Sequence, residues 1–380
     1  MTGLYIHIPF CKSKCKYCDF VSFPEYERED IYFVALISEI RRYAPLMKDR
    51  RFGTVFIGGG TPTSLKSGRI MALMVEVRKC FYIDENAEIT CEANPESATE
   101  EKLMELIEAG VNRLSIGMQS ASDSILKTIG RIHTRADFIK SVENARTVGF
   151  KNINADIMHG LPTQTQKDYV SALELAAELD LPHVSSYSLI LEEGTPLWES
   201  VSNGAMELPD ADETADMEDA GFIFLNEKGY TRYEISNFSK PGFECRHNIN
   251  YWDNGEYLGV GLNSHSALSL KGDWTRFRNT DNLSEYISEL GEGKLPVRDT
   301  RRIEPDEEMF ETIMLGLRKC SGISRAEFQK RFGVDMAVLY APAIAELELD
   351  GMIEVTEDSI YLNNRGLDFQ NEALLKFREQ

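Results

Sequence analysis

The 380-residue sequence contains no run of about eighteen apolar residues, so no membrane-spanning helix is expected. Its opening, Met1-Thr2-Gly3-Leu4-Tyr5-Ile6-His7, lacks basic residues followed by a long apolar stretch and is not expected to act as an export signal. Basic residues are scarce: 41 Lys and Arg face 62 Asp and Glu, a formal charge of −21. A surface of that sign repels phosphate backbones and anionic lipids, which argues against non-specific nucleic-acid binding. No internal repeat of fixed period and no low-complexity tract interrupts the chain. Its length suggests two or three domains with ample core. Cysteine is limited to seven residues, an odd number that disfavours a disulfide framework and points to a reducing, cytoplasmic setting. Three of the seven fall within eight residues, and that cluster needs an explanation.

Short apolar or β-branched runs occur at Leu4–Pro9, Thr54–Ile57, Glu88–Cys91, Arg113–Gly117, Asn152–Ile157 and His183–Ile190. Stretches of helical period separate them. One is expected to start at Ser97, with Glu100 completing a capping box, and to stop at Gly110. Six strands alternating with helices predict parallel βα units, an α/β partial (β/α)6 barrel rather than the eight units of a closed one. Its strand ends carry Cys11, Gly58-Gly59-Gly60-Thr61, Glu92, Gln119, Asp156 and Glu192, which such a barrel gathers on one face. An acidic helix is expected from Pro209 to Gly229. From about Glu304, three helices precede two short strands, Met352–Val355 and Ile360–Leu362, an order resembling a winged helix. Residues 301–380 hold 10 Lys or Arg against 16 Asp or Glu, a net charge of −6. A structural or docking role therefore suits this end better than reading DNA.

Cys11-Lys12-Ser13-Lys14-Cys15-Lys16-Tyr17-Cys18 spaces its thiols by three residues and then two. Soft thiolates suit iron, and a short loop delivers them at small entropic cost. Three of them leave one iron of a cubane open to a small molecule. Zinc, with His7 as a fourth donor, stays open as an alternative, as do unligated thiols. The glycines at 58–60 allow a ligand close to the backbone, although a plain turn explains them as well. Lys12, Lys14 and Lys16 form a local basic patch, either solvated or receiving an acidic electron donor such as a flavodoxin.

Placed after the first strand of a partial barrel, the Cys-x3-Cys-x2-Cys loop resembles that of the radical S-adenosylmethionine (SAM) superfamily. The resemblance implies a [4Fe–4S] cluster on Cys11, Cys15 and Cys18, whose open iron chelates the amino and carboxylate groups of SAM. An electron passed through such a cluster cleaves the sulfonium to a 5′-deoxyadenosyl radical. Tyr17, aromatic before the last cysteine, fits the pattern.

Longer stretches narrow the likeness. Leu4-Tyr5-Ile6-His7-Ile8-Pro9-Phe10-Cys11, Glu92-Ala93-Asn94-Pro95, Ser115-Ile116-Gly117-Met118-Gln119-Ser120 and Asp156-Ile157-Met158-His159-Gly160-Leu161-Pro162 resemble the oxygen-independent coproporphyrinogen III oxidase group. That likeness implies Tyr5, Gly59 and Glu92 beside the first SAM. Tyr17, Gly60, Thr61, Gln119, Arg131 and Asp156 match positions that bind a second SAM in the oxidase. Read as residues alone, Tyr5 also suits a core and Arg131 a surface charge. Two departures argue against coproporphyrinogen decarboxylation. Phe20 stands where the oxidase has a further cysteine, and the chain starts about three residues ahead of its first strand, where the oxidase carries an extension that helps close its substrate site.

Tyr233-Glu234-Ile235-Ser236-Asn237-Phe238 and His247-Asn248-Ile249-Asn250-Tyr251-Trp252 are similar to motifs of HemW-type haem chaperones, linked to binding haem and passing it to haemoproteins. An imidazole is a good axial ligand for haem iron, Asn248 could orient it, and aromatic residues pack on a macrocycle. The same residues equally suit a structural cluster joining the barrel to the C-terminal part. His265 is a second candidate. The expectation is a radical SAM core over 1–232, a connecting region over 233–300 and a winged-helix-like domain over 301–380. Cluster and SAM are the expected cofactors, haem the cargo and recipient haemoproteins the partners, with transient membrane contact during delivery left open. Reductive SAM cleavage is within the reach of such a chain. The alternative is the oxidase-type enzyme, coproporphyrinogen III dehydrogenase.

Overall fold

The computed structural model describes residues 1–378. All six anticipated strands form: β1 (Thr2–Ile8), β2 (Arg51–Gly59), β3 (Tyr82–Ala93), β4 (Arg113–Gln119), β5 (Asn152–His159) and β6 (His183–Ser188). They pair in parallel and in sequence order. The crossovers are helical: α1 (Glu29–Met47), α2 (Arg69–Cys80), α3 (Glu100–Glu108), α4 (Asp123–Thr128) with α5 (Arg135–Thr147), and α6 (Gln166–Glu178).

The strands alternate in character, and the alternation creates the site. Val55, Ile57, Ile89, Cys91, Leu114, Ile116, Ile153 and Ala155 are buried in the main apolar core. The residues between them, including Phe56, Glu92, Ser115, Asn154 and Asp156, line a cavity on the opposite face. Truncating an outward residue such as Leu114 to alanine would cost about 2–5 kcal/mol. Parallel sheets are commonly apolar on both faces, so a polar inner face marks a barrel built around a ligand space.

Helix starts follow local hydrogen bonding. Thr134 with Asp137 and Thr165 with Asp168 form reciprocal capping boxes on α5 and α6. The start expected at Ser97 shifts: Ser97 closes a 3-10 turn over Pro95–Ser97, and its hydroxyl bonds to Thr63 and to the Asn94 carbonyl. Thr99 caps α3 instead, accepting from the Lys102 amide. The stop at Gly110 forms as expected, with φ +85°.

Beyond β6 come α7 (Pro196–Ser202), the acidic α8 (Ala211–Glu227) capped by Asp210, β7 (Thr231–Arg232), β8 (Asn237–Ser239) and α9 (Arg246–Trp252). The segment expected to connect then returns to the sheet. Its first strand, β9 (Tyr257–Val260), pairs in parallel with the free side of β1. Three more strands, β10 (His265–Leu270), β11 (Asp273–Asn279) and β12 (Val297–Arg302), extend that side in antiparallel fashion, with α10 (Leu283–Gly291) packing on α1. The resulting sheet has 12 strands and stays open.

A second, smaller apolar core lies within 313–377. Here α11 (Pro305–Gly316), β13 (Ile323–Ser324), α12 (Arg325–Phe332), α13 (Met336–Leu339) and α14 (Ala341–Leu349) precede a hairpin of β14 (Ile353–Val355) and β15 (Ser359–Leu362). The order β13-β15-β14 makes the small sheet of a winged-helix-like unit, closed by α15 (Asn364–Asp368) and α16 (Gln370–Arg378). The last two residues of the expected 301–380 unit lie outside the described residues. No helix among the described residues is long and apolar enough to cross a membrane.

Candidate functional site

The cysteine loop follows β1 and is clamped by backbone. The Cys11 amide donates to Phe23 O, the Lys16 amide to Ile129 O, and Lys16 O accepts from the Leu197 amide. Cys11, Cys15 and Cys18 are free thiols, each half-buried, and all three line one cavity of about 700 Å3. Cys11 Sγ lies 3.3 Å from Thr61 Oγ1, which accepts from Asn94 Nδ2. Burial pushes the Cys18 thiol up to about 11 and raises Cys11. A metal centre that draws off these protons would therefore be stabilising the charged forms.

Among the described residues no three His, Cys, Asp or Glu side chains converge on a point suited to one ion. A zinc tetrahedron needs that convergence, whereas a cubane spreads its thiolates over three iron corners. His7, the anticipated fourth zinc donor, is spent: Nε2 bonds to Val21 O and Nδ1 to the Tyr5 hydroxyl. Burial drives its pKa down to about 4. The residues present thus fit a three-thiolate cluster better than zinc.

The glycines are required by space. Gly59 adopts φ +101°, and a Cβ there would meet the His7 ring at 2.3 Å. A Cβ on Gly60 would lie 2.6 Å from the carbonyls of Ile8 and Phe10. Gly59 N donates to Glu92 Oε2 at 3.0 Å. Glu92 is half-buried at the cavity wall, and desolvation there, with the Asp156 charge next in size, raises its pKa to about 8. Burial also raises Asp156, against hydrogen bonds from Tyr187, Asn154 and Ser115. Gln119 ends β4 after a register shift and holds φ +63°, with Oε1 buried and unpartnered. An irregular strand end of this kind re-aims a side chain, here into the cavity.

Arg131 is no surface charge. Its guanidinium donates to Gly117 O at 2.6 Å, Asn94 Oδ1 at 2.8 Å and His133 Nδ1 at 3.2 Å, and approaches Cys15 Sγ at 3.6 Å. It holds the rim of the cavity and puts positive charge beside a thiol.

The cavity thus gathers Cys11, Cys15, Cys18, Tyr17, Gly59, Gly60, Thr61, Glu92, Gln119, Arg131 and Asp156 from the sequence expectation. Two residues stay outside its lining. Tyr5 bonds to His7 and stacks on Phe56, which does line the cavity. His247 is 1% exposed in α9. Its Nδ1 meets Thr54 Oγ1 at 2.8 Å, its Nε2 meets the Tyr251 hydroxyl at 2.9 Å, and its ring stacks on Phe56. Burial, followed by Arg113, lowers its pKa to about 3. Both nitrogens are engaged, so the imidazole has no lone pair free for haem iron in this arrangement. Its neighbour Asn248 lines the cavity instead. His265 is exposed on β10 and also lies outside.

Residues not singled out from the sequence also line the cavity, among them Arg113, Asn154 and Tyr187. The inward period of two along β4, β5 and β6 was the available signal for them. Glu88, also unanticipated, accepts from the amides of Arg246 and His247 and so caps α9 from a neighbouring strand.

The comparisons with known proteins agree with this geometry. A model of the radical SAM superfamily matches residues 5–176, and one of the HemN C-terminal domain matches residues 303–369. The chain is 37% identical to heme chaperone HemW of Bacillus subtilis, covering 99% of each. It is 34% identical to heme chaperone HemW of Escherichia coli, covering 99% of this chain and 97% of that one. Among solved structures, coproporphyrinogen III oxidase HemN from Escherichia coli, a radical SAM enzyme, superposes with a TM-score of 0.85 at 24% identity, covering 99% of this chain and 89% of that chain. That likeness establishes the fold. The radical SAM family implies a [4Fe–4S] cluster and SAM, which the cavity residues fit. The chain belongs to the HemW family of radical SAM proteins.

Proposed function

We propose that this protein binds haem and passes it to recipient haemoproteins in the cytoplasm, with a [4Fe–4S] cluster on Cys11, Cys15 and Cys18 and SAM beside it. One observation carries the reading: the three-thiol loop and the matched polar residues meet in a single cavity, in a chain 37% identical along its length to a haem chaperone. When bound, the cluster would supply an open iron for the chelating end of SAM and a route for an electron. The chain's own residues do the positioning. Thr61 and Arg131 steady the sulfurs of Cys11 and Cys15. Gly59 and Gly60 keep the backbone free of side chains where the ligand approaches, and Glu92 and Asp156 offer acceptors to an ammonium or to ribose hydroxyls.

Phe20, at the position where the oxidase group has a cysteine, is 61% exposed and lines the cavity. An exposed aromatic at this place can pack on a macrocycle. Lys12 and Lys14 are exposed beside it and would receive an acidic electron donor. The acidic 301–380 unit serves a structural or docking role. The test is a haem titration of anaerobically reconstituted protein, followed by mixing with a haem-free acceptor. Saturable binding and transfer of the Soret band to the acceptor are expected. Absence of saturable binding, or conversion of coproporphyrinogen III to protoporphyrinogen with SAM and a reductant, would overturn the reading.

A further inference from the structure

Two arginines line the cavity, and their situations differ. Arg131 donates to His133, Asn94 and Gly117 at the rim. Arg113 begins β4, is 2% exposed, and its side chain makes no hydrogen bond or ion pair with any described residue. Its Nε is sealed from solvent and unpartnered. A guanidinium stays protonated in a protein and presents five N–H donors in a planar fork. Leaving the sealed Nε without a partner is costly, and such groups are normally paired.

The nearby acids do not take up those donors. Glu88 and Asp156 act on Arg113 through space. Glu88 is occupied by the amides of Arg246 and His247. Asp156 Oδ1 accepts from Tyr187, Asn154 and Ser115 and makes no bond to Arg113. Two further unpartnered atoms belong to residues of the same cavity lining, Gln119 Oε1 and Asn237 Oδ1. The barrel interior therefore holds a guanidinium with no side-chain partner among the described residues, on the wall of the cavity.

We propose that Arg113 is a carboxylate-docking residue on the inner wall of the cavity, taking an acid group of the bound ligand in a two-point contact. This rests on the haem-carrier reading, in which a propionate of the macrocycle is the favoured acid. The methionine end of SAM carries the same chemistry and is the other source. A fork-to-carboxylate pair orients a planar ligand as well as holding it, because two parallel N–H···O contacts fix direction.

The experiment compares haem with haem dimethyl ester, in the same mild detergent, and SAM with decarboxylated SAM. It uses the reconstituted wild-type protein, Arg113→Gln and Arg113→Lys. Wild type should prefer free-acid haem over the diester by about 10- to 100-fold, the range expected for a charged hydrogen-bonded pair. Arg113→Gln should erase that preference, Arg113→Lys should retain a fraction, and the SAM preference should be unchanged. Loss of discrimination in the SAM pair alone would keep the carboxylate site and assign it to the methionine end. If wild type binds neither haem form, the carrier reading fails, and the SAM pair still decides the role of Arg113. Should circular dichroism show Arg113→Gln unfolded, Arg113→Lys decides, since lysine keeps the charge and loses the fork. Discrimination equal to wild type in the folded variants, for both ligand pairs, overturns the proposal.

Discussion

The cysteine loop and the His247 helix are the two most conspicuous motifs of the chain, and they meet the barrel at opposite ends. The loop lies at the C-terminal end of β1, where its thiols open onto the cavity with few partners. The helix lies at the N-terminal end of β1 and β2, where His247 contacts Thr54, Phe56 and Tyr251 and is fully enclosed. Both carry metal-ligating side chains. Only one presents them unspent. Ligand chemistry is decided by which polar groups the fold leaves unsatisfied, and residue type alone does not report that.

The comparison breaks most completely at the loop. Replacing Cys11, Cys15 or Cys18 with alanine should reduce iron from about four per chain to near zero after reconstitution, with the visible charge-transfer band lost in parallel. Iron retained at wild-type level in any of the three would remove that residue from the ligand set.

The middle of the cavity gives a pH signature. Glu92 has a pKa near 8 in the fold against an ordinary 4.5, chiefly from burial. Between those values the folded chain keeps a proton that the unfolded chain releases. Stability of the ligand-free protein should therefore fall as pH rises through that window, by at most about 1.4 kcal/mol per pH unit for one group. Glu39, held near 7 mainly by burial, adds a slope of the same sign up to its own pKa. Glu92→Gln should flatten the upper part of the curve and leave the Glu39 part. Urea melts from pH 5 to 9 check this, and an unchanged slope in the variant would contradict it.

At the other end, His247→Ala should lower stability by about 2–3 kcal/mol, since it removes a stacked, doubly hydrogen-bonded buried ring. Cluster content and haem affinity should stay within about twofold of wild type, because the residue does not line the cavity. A large loss of haem affinity with intact stability would return His247 to the role of ligand. The smallest effect is expected from Thr54→Val, which leaves His247 Nδ1 without its partner. It should cost about 1 kcal/mol in denaturant melts, with no change in bound iron.

Much of this arrangement was legible in the sequence, and the reason is periodicity. The six parallel strands announce themselves as short β-branched runs spaced by helical stretches, and the residues at their C-terminal ends converge because parallel strands share a direction. The positions of the loop, the glycines, Glu92, Gln119 and Asp156 thus follow from the sequence. Strand β9 escaped notice because Tyr257-Leu258-Gly259-Val260 is short and carries a glycine, and only its pairing with β1 makes it a strand. The α3 cap moved from Ser97 to Thr99 because Pro95 and the hydroxyl of Thr63 captured Ser97 first. Tyr5 and His247 match motifs that imply ligand contact, and their hydrogen-bond partners, which come from β1, β2 and α9, are not visible along the chain. Arg113 is hidden for the same reason: an arginine opening a strand is usually a surface charge, and its side chain's want of partners among the described residues is a fact of three dimensions.

The most direct test is electron paramagnetic resonance of the reduced, anaerobically reconstituted protein with and without SAM. A three-thiolate cubane with one open iron predicts a [4Fe–4S]+ signal whose g-values shift when SAM is added. A signal indifferent to SAM, or a protein that takes up no iron at all, would contradict the account.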